Sequence, residues 1–320
     1  MVGTAGFAAQ GQPNADIPKR PLGSTGLKVS VLGIGGYHLG SVDSDSEATQ
    51  VVNEALDAGI NFFDNAWEYH QGLSEERLGR ALKGKRDRAV VMTKVCTHGR
   101  DKKVAMRQLE ESLTRLQTDH LDVWQIHEVI YENDPDLIFA PDGAAEALLQ
   151  AKQQGKVRFV GFTGHKDPSI HLKMLSHQFP FDTVQMPLNC LDATFRSFES
   201  QVLPEVNRRG MAALGMKSLG GSGEMVREGA VVVTMGLRYA MSLPVAVTIS
   251  GIDSLEVLHQ NLEIARGFQP LTTSEMQALR DACRFDASDG HLELFKTTKK
   301  YDGEVGRQQH GFPTAAQLPV

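Results

Sequence analysis

Four side chains of complementary chemistry fall at or just beyond the ends of short apolar runs. Asp64 closes Ile60-Asn61-Phe62-Phe63-Asp64, Lys94 closes Val90-Val91-Met92-Thr93-Lys94, and His127 closes Asp122-Val123-Trp124-Gln125-Ile126-His127, with Tyr69 five residues past Asp64. A carboxylate, a phenol, an ammonium and an imidazole can together move one proton to or from a carbonyl oxygen. Tyr69 is the candidate acid, but an unperturbed phenol, with a pKa of about 10, holds its proton too tightly for efficient transfer near neutrality. An ammonium within roughly 4–6 Å stabilises the phenolate and lowers that pKa, which is the part expected of Lys94. Asp64 then pairs with Lys94, keeping it charged and aimed, while His127 donates to the substrate oxygen and orients it. Reduction of an aldehyde or ketone needs such a set: hydride on carbon, proton on oxygen. Singly, each residue has a plainer explanation as a loop cap, a surface cation or a satisfied histidine. Four such types on consecutive strand ends are hard to explain as surface decoration.

Groups at strand ends converge only if the strands are parallel and close on one another, and the rest of the chain is patterned for that. Lys28 to Gly36 reads as a strand ending in a glycine turn, followed by a helix from Ser46 to Ala58, capped by Asp45 or Ser46 and stopped by Gly59. Strands 60–64, 90–94, 122–127, 157–163, 183–186, 211–216 and 245–249 then alternate with helices 74–83, 102–117, 143–154, 168–177, 197–209, 230–242 and 254–266. Strand ends lie 24 to 36 residues apart, the length of a βα unit with its loops, and no sequence repeat accompanies the spacing. Eight sequential units with near-continuous apolar strands predict an α/β fold of the (β/α)8 TIM-barrel type in a single domain. The expected organisation is a flexible arm over 1–20, the barrel over 21–285, and a C-terminal loop or tail over 286–320 lying on the barrel. An open dinucleotide-binding sheet is rejected: Gly33, Gly35 and Gly36 begin a glycine-rich run, but position 38 is His and the G-x-G-x-x-G spacing fails.

A net charge of −6 excludes a phosphate-backbone binder, which needs a basic surface, so no nucleic-acid partner is expected. No window approaches the ~20 apolar residues of a membrane helix. Cys96, Cys190 and Cys283 are odd in number and far apart, as reduced thiols of a cytoplasmic protein are. His165, His171 and His177 recur every six residues, a spacing that scatters them around a helix, so no metal site is expected. Loops 128–142 and 189–197, with Tyr37, Trp67, Phe295, Tyr301 and Phe312, are expected to wall an apolar substrate pocket. Nothing in the composition sets the oligomeric state.

The segments Asn61-Phe62-Phe63-Asp64-Asn65-Ala66, Ser74-Glu75-Glu76-Arg77-Leu78-Gly79, Thr93-Lys94, Leu116 to His127, Val157 to Thr163, Gln185 to Asn189, Gly215 to Gly221 and Ser250 to Leu262 carry a resemblance. Together, in this order over about 20 to 265, they make the chain similar to the aldo-keto reductase superfamily of NAD(P)(H)-dependent barrel enzymes. The resemblance implies a tetrad of Asp64, Tyr69, Lys94 and His127, with Tyr69 the general acid, and a small carbonyl substrate. It also implies an extended dinucleotide across the barrel mouth. Gly35, Gly36 and Tyr37 would border the nicotinamide. Asp64 and Thr163 would lie near the ribose or carboxamide, and Gln185 would bond the carboxamide. Met216, Lys217, Leu219, Gly220 and Gly221 would form the pyrophosphate loop, and Gly251, Asp253, Ser254, Gln260 and Asn261 would hold the adenosine end.

Three positions depart from the family pattern. Thr163-Gly164 stands where many members have Ser-Asn or Ser-Arg, Ser218 where a proline is usual, and Gly251, Asp253 and Val257 where NADPH-selective members place a basic residue. The resemblance favours NADP(H); Asp253, able to accept from a free ribose 2′-hydroxyl, keeps NAD(H) as the alternative. Two other functions are compatible with parts of the pattern: a Schiff-base lyase using Lys94 as nucleophile, and a cofactor-binding regulatory subunit with vestigial activity. Asp64 as partner would hold Lys94 protonated and poorly nucleophilic, and an intact tetrad has no use in a pure sensor.

Overall fold

Eight parallel strands hydrogen-bond in chain order and close into a barrel. The structure, a computed structural model, describes residues 16–96, 100–309 and 311–317. An antiparallel hairpin comes first, β1 (Lys19–Pro21) and β2 (Lys28–Ser30). The barrel strands are β3 (Leu32–Gly35), β4 (Phe62–Asp64), β5 (Val90–Val95), β6 (Leu121–Ile126), β7 (Val157–Thr163), β8 (Thr183–Pro187), β9 (Ala212–Met216) and β10 (Val247–Gly251), with β10 closing on β3. The closed (β/α)8 barrel expected from the spacing is therefore present.

The single strand expected over 28–36 is two. Ser30 turns its hydroxyl onto Leu32 O (2.6 Å) and its amide onto Asn61 Oδ1 (2.8 Å), so the chain bends at Val31 and leaves the hairpin beneath the barrel. Leu22 and Val29 of that hairpin pack with the inward-facing Phe62, Met92, Val123, Leu214 and Val247 and seal the barrel floor. Strand β1 begins inside the stretch expected as a flexible arm, and Ile17 just before it is buried in the core; residues 1–15 of that arm lie outside the described residues.

Alternation along each strand sets what the interior contains at each height. Phe62, Met92 and Val123 fill it low down; two residues further, the same face carries Asp64, Lys94 and Gln125. Their chain neighbours Phe63, Val91 and Trp124 point outward into the large core shared with the helices. The barrel is thus apolar at its floor and polar at the C-terminal ends of its strands, where sites in this fold are built.

The helix expected from Ser46 runs Asp45–Asp57 and is capped one residue earlier than expected, by Ser44, whose hydroxyl accepts from Glu47 N. The helix expected over 197–209 is two short ones, Phe198–Gln201 and Leu203–Arg208, because Pro204 lacks the amide needed to continue the first. The helix expected from 230 begins at Val233, after a short turn at Glu224–Arg227. Past the last barrel helix, Thr273–Cys283 opens on a capping box between Thr272 and Glu275.

The stretch from Gly290 to Arg307 crosses the mouth. Its anchor is a buried cluster in which the Lys296 ammonium pairs with Asp192 (2.6 Å) and Glu293 (2.9 Å). Beyond it, Asp302 pairs with Lys166 (2.8 Å) and Arg307 (3.0 Å), and Gly303 N donates to Glu128 (2.7 Å).

Candidate active site

The bend from β4 into the following turn brings Tyr69 back over the mouth. His70 and Gln71 take left-handed backbone conformations (φ 50° and 58°), and Gly72 follows with φ 95°, so the chain doubles back within four residues. Lys94, on the inward face of β5, donates to Asp64 Oδ1, to Asn65 O (2.8 Å) and to the Tyr69 hydroxyl (3.4 Å). Asp64, Lys94 and Tyr69 thus form one hydrogen-bonded group. His127, immediately past β6, presents its ring edge-on to the Tyr69 ring at 5.7 Å.

The electrostatics differ from expectation in one respect. Burial, then the charges of Asp64, Glu68 and Glu128, raise the Tyr69 pKa well above that of a free phenol. The expected lowering by Lys94 does not occur, because Asp64 neutralises the ammonium and two further carboxylates face the ring. A phenol held this way stays protonated at every physiological pH. It yields its proton only to a strong base, such as the alkoxide-like oxygen that develops as hydride arrives.

Next to this group, Gln185 Nε2 donates to Asp64 Oδ2 (3.1 Å). Its Oε1 is buried without a partner, as are Thr163 Oγ1 and Asn65 Nδ2. Thr163 and Gln185 are paired residues on neighbouring strands β7 and β8, so an unused hydroxyl and an unused carbonyl oxygen lie side by side. An acceptor beside a donor–acceptor hydroxyl suits a primary carboxamide, and the cost of burying such groups unpaired is relieved by that ligand. Gly36 packs so tightly on Asp64 O and Asn65 that a Cβ would overlap them, and a Cβ on Gly35 would sit 2.9 Å from Ser250 O. Tyr37 beside them is exposed (55 %) and tilts over His70.

In the loop after β9, Lys217 has a left-handed backbone (φ 56°) and Gly220 another (φ 90°). The Lys217 ammonium lies under the Phe295 and Tyr301 rings at 5.4 and 5.1 Å, and no carboxylate among the described residues comes within 4 Å of it. Burial draws its pKa down to about 8. Such a cation is suited to a phosphate. Met216 and Leu219 flank it half-buried, and Gly221 packs against the Tyr301 ring, whose hydroxyl bonds Glu224 (2.6 Å) and Ser222 (2.9 Å). These residues fit a nicotinamide dinucleotide at both its carboxamide and its pyrophosphate.

The adenosine-end candidates are less uniform. Gly251 lies under the His38 ring, and Asp253 is exposed nearby, its charge acting on His38. Ser254 caps the helix Leu255–Ala265 by accepting from Val257 N. Asn261 is buried and donates to Ser250 Oγ (2.9 Å), whereas Gln260 lies exposed on the helix surface.

Of the aromatic walls expected, Tyr37 meets the Tyr69 ring edge-on at 5.5 Å, but most of the others lie elsewhere. Trp67 turns outward, its indole N–H on Glu111 (2.6 Å) and its ring beneath Arg115; Phe295 is in the core against His165; Phe312 lies on Tyr131. Polar groups take their place. Glu68 Oε1 stands 2.7 Å from His127 Nδ1, the Cys96 thiol donates to the other Glu68 oxygen, and Glu128 receives Gly303 N. Glu68 and Glu128 were not expected from the sequence. The only signal was a carboxylate on each side of the pair, one residue before Tyr69 and one after His127.

Residues 31–229 match the model of the aldo/keto reductase family. The chain is 38% identical over 161 residues to L-galactose dehydrogenase of Arabidopsis thaliana, covering 46% of this chain and about half (49%) of that enzyme. It is 25% identical over 315 residues to an uncharacterized oxidoreductase of Bacillus subtilis (strain 168), covering 85% of this chain and 99% of the other. Among solved structures it superposes on a holo-form aldo-keto reductase from Bacillus halodurans with a TM-score of 0.70 and 25% identity, covering 83% and 96% of the two chains.

Proposed function

The chain belongs to the aldo/keto reductase family, and from that premise we propose that it reversibly reduces the carbonyl of a small aldehyde or ketone with NADPH or NADH. The bound nicotinamide supplies the hydride. Thr163, Gln185 and Asn65 hold the carboxamide, Lys217 faces the pyrophosphate, and Gly35 and Gly36 let the dinucleotide approach the backbone. Tyr69 gives the proton to the substrate oxygen, and His127 donates a hydrogen bond to the same oxygen and orients it. Asp64 and Lys94 hold the Tyr69 hydroxyl in place.

The observation that carries this reading is the Asp64–Lys94–Tyr69 hydrogen-bonded group beside the unpartnered Thr163 and Gln185. It also weighs against a Schiff-base lyase, because Lys94 spends its donors on two charged or carbonyl oxygens and a phenol and has no lone pair to offer. Polar surroundings, and the sugar named in L-galactose dehydrogenase, favour a hydroxylated substrate over an apolar one.

Parallel fluorescence titrations with NADPH and NADH, followed by absorbance at 340 nm with hydroxylated and aryl aldehydes, test the proposal. Both binding and oxidation are expected, and Tyr69→Phe should retain binding while turnover falls ~10²–10⁴-fold. Binding without oxidation of any aldehyde would favour a regulatory subunit. Full activity in Tyr69→Phe would overturn the assignment of the acid.

A further inference from the structure

Glu68 is a carboxylate that the four-residue scheme does not use, yet it is placed against one of its members. It sits one residue before Tyr69, with a side chain only 13% exposed, and its Oε1 lies 2.7 Å from His127 Nδ1. The approach is an ion-pair contact and not an aligned hydrogen bond, and Nδ1 has no aligned acceptor elsewhere among the described residues. The second oxygen of Glu68 accepts the Cys96 thiol. Burial and the two carboxylates raise the pKa of that thiol well above its ordinary value, so Cys96 stays a neutral donor.

The charged groups around the pair come from several loops at the mouth. Tyr69 faces the His127 ring from the β4 turn. Arg100, past β5, gives one guanidinium nitrogen to His127 O (2.8 Å) and another to Glu128 O (3.0 Å), and pairs with Asp134 (3.1 Å). Glu128 follows His127 and accepts Gly303 N from the tail, and a Cβ on Gly303 would lie 3.1 Å from Glu68 Oε2. Lys217 feels the Glu128 charge from the β9 loop. Arg100 holds the backbone carbonyls of both His127 and Glu128. Glu68 is therefore the one carboxylate within 4 Å of a His127 ring nitrogen among the described residues.

We propose that Glu68 is a positioning residue which shares a proton with His127 Nδ1 and so keeps Nε2 the N–H that faces the reacting oxygen. The argument rests on the carbonyl-reductase reading and adds a residue to it. A neutral imidazole has one N–H, and which nitrogen carries it is set by the partner of the other. With one proton between Oε1 and Nδ1, on either atom, Nε2 keeps its hydrogen and polarises the carbonyl. When one proton leaves the pair, the remaining one moves from Nε2 to Nδ1, where the carboxylate accepts it, and the bare Nε2 becomes an acceptor, suited to the alcohol in the reverse direction. No covalent bond is made or broken at Glu68; it changes only where a proton resides.

The deciding measurement needs no substrate: nitrogen-15 NMR of histidine-labelled protein, with the His127 signals assigned by their loss in His127→Gln. Nε2 should be protonated in the wild type at about pH 6 to 7, and Glu68→Gln should shift the signals toward a bare Nε2 or a tautomer mixture. In the aldehyde assay, Glu68→Gln should lower kcat about 10- to 100-fold, the loss of one close charged contact to the imidazole, with the cofactor KM unchanged. Its high-pH limb for reduction should move to lower pH, and Glu68→Asp should restore part of the rate. Identical nitrogen signatures and an unmoved limb in Glu68→Gln would overturn the proposal. Should that variant not fold, a bare Nε2 in the wild type across the same pH range overturns it alone. If the protein reduces no aldehyde, the carbonyl-reductase reading fails while the nitrogen signature still decides the role of Glu68.

Discussion

Asp253 shows how a single exposed side chain can set a preference that the rest of the site leaves open. It projects from the loop after β10 beside His38, and neither Gly251 nor Val257 adds a positive charge there. A ribose 2′-phosphate placed near it would meet like charge, whereas a free 2′-hydroxyl would find an acceptor. Asp253→Arg is therefore expected to raise the ratio of kcat/KM for NADPH over NADH at least tenfold, read from initial rates with each cofactor. An unchanged ratio would place the adenosine end elsewhere. At this scale the sequence was legible where a residue's position follows from its strand. Asp64, Lys94 and His127 needed only a period of two and a strand end. Side chains in turns were not legible. Aromatic character alone makes Trp67 read as a pocket wall, whereas it bonds Glu111 on the outside and its neighbour Glu68 is the one that reaches His127.

Between elements, the closest packing sits where β3 leaves the barrel. Gly36 opens the short helix Gly36–Ser41 directly above Asp64, and Ser74 of the helix Leu73–Ala81 donates its hydroxyl to Gly36 O (2.6 Å). Any side chain at 36 meets the backbone oxygen of Asp64 and the side chain of Asn65. Backbone cannot step aside as a flexible side chain can. Gly36→Ala should destabilise the protein by about 1–3 kcal/mol in urea titrations, as overpacking does. It should weaken cofactor binding more than Gly26→Ala at an open turn, where a Cβ meets nothing within 4 Å. Equal binding by the two variants would contradict the placement of the dinucleotide over Gly36. Most barrel strands could be read from their apolar runs. The bend at Val31 could not, since it depends on Ser30 reaching Asn61 across the floor, and a contact between distant residues leaves no local pattern. The buried Lys296 cluster was hidden for the same reason: a lysine in a polar tail reads as solvated until Asp192 and Glu293 are found beside it.

For the molecule as a whole, two buried histidines couple acid to unfolding. Burial lowers the pKa of His165 and of His171 to about 4 from 6.5, and His171 is further wedged between the Phe162 and Phe198 rings. Their folded values lie below the unfolded ones, so between pH 6.5 and 4 the unfolded chain binds more protons than the native one. Stability is full above that window and falls as pH drops through it, by on the order of 3 kcal/mol for each histidine. The Tm should therefore decline from pH 7 to pH 4.5, and His171→Gln, which cannot charge, should flatten the decline. A variant with the wild-type slope would show that other groups carry it. The ring closure itself has a different consequence, one of timing. Strands β3 and β10 come from opposite ends of the barrel sequence and meet only when the six between them are in place. Gly35 and Gly36 lie on one side of that seam and Gly251 and Asp253 on the other, so no folding intermediate with an open ring presents both halves of the groove. A dinucleotide spanning the seam would act as a clasp, recognising only chains that have finished folding and slowing their reopening.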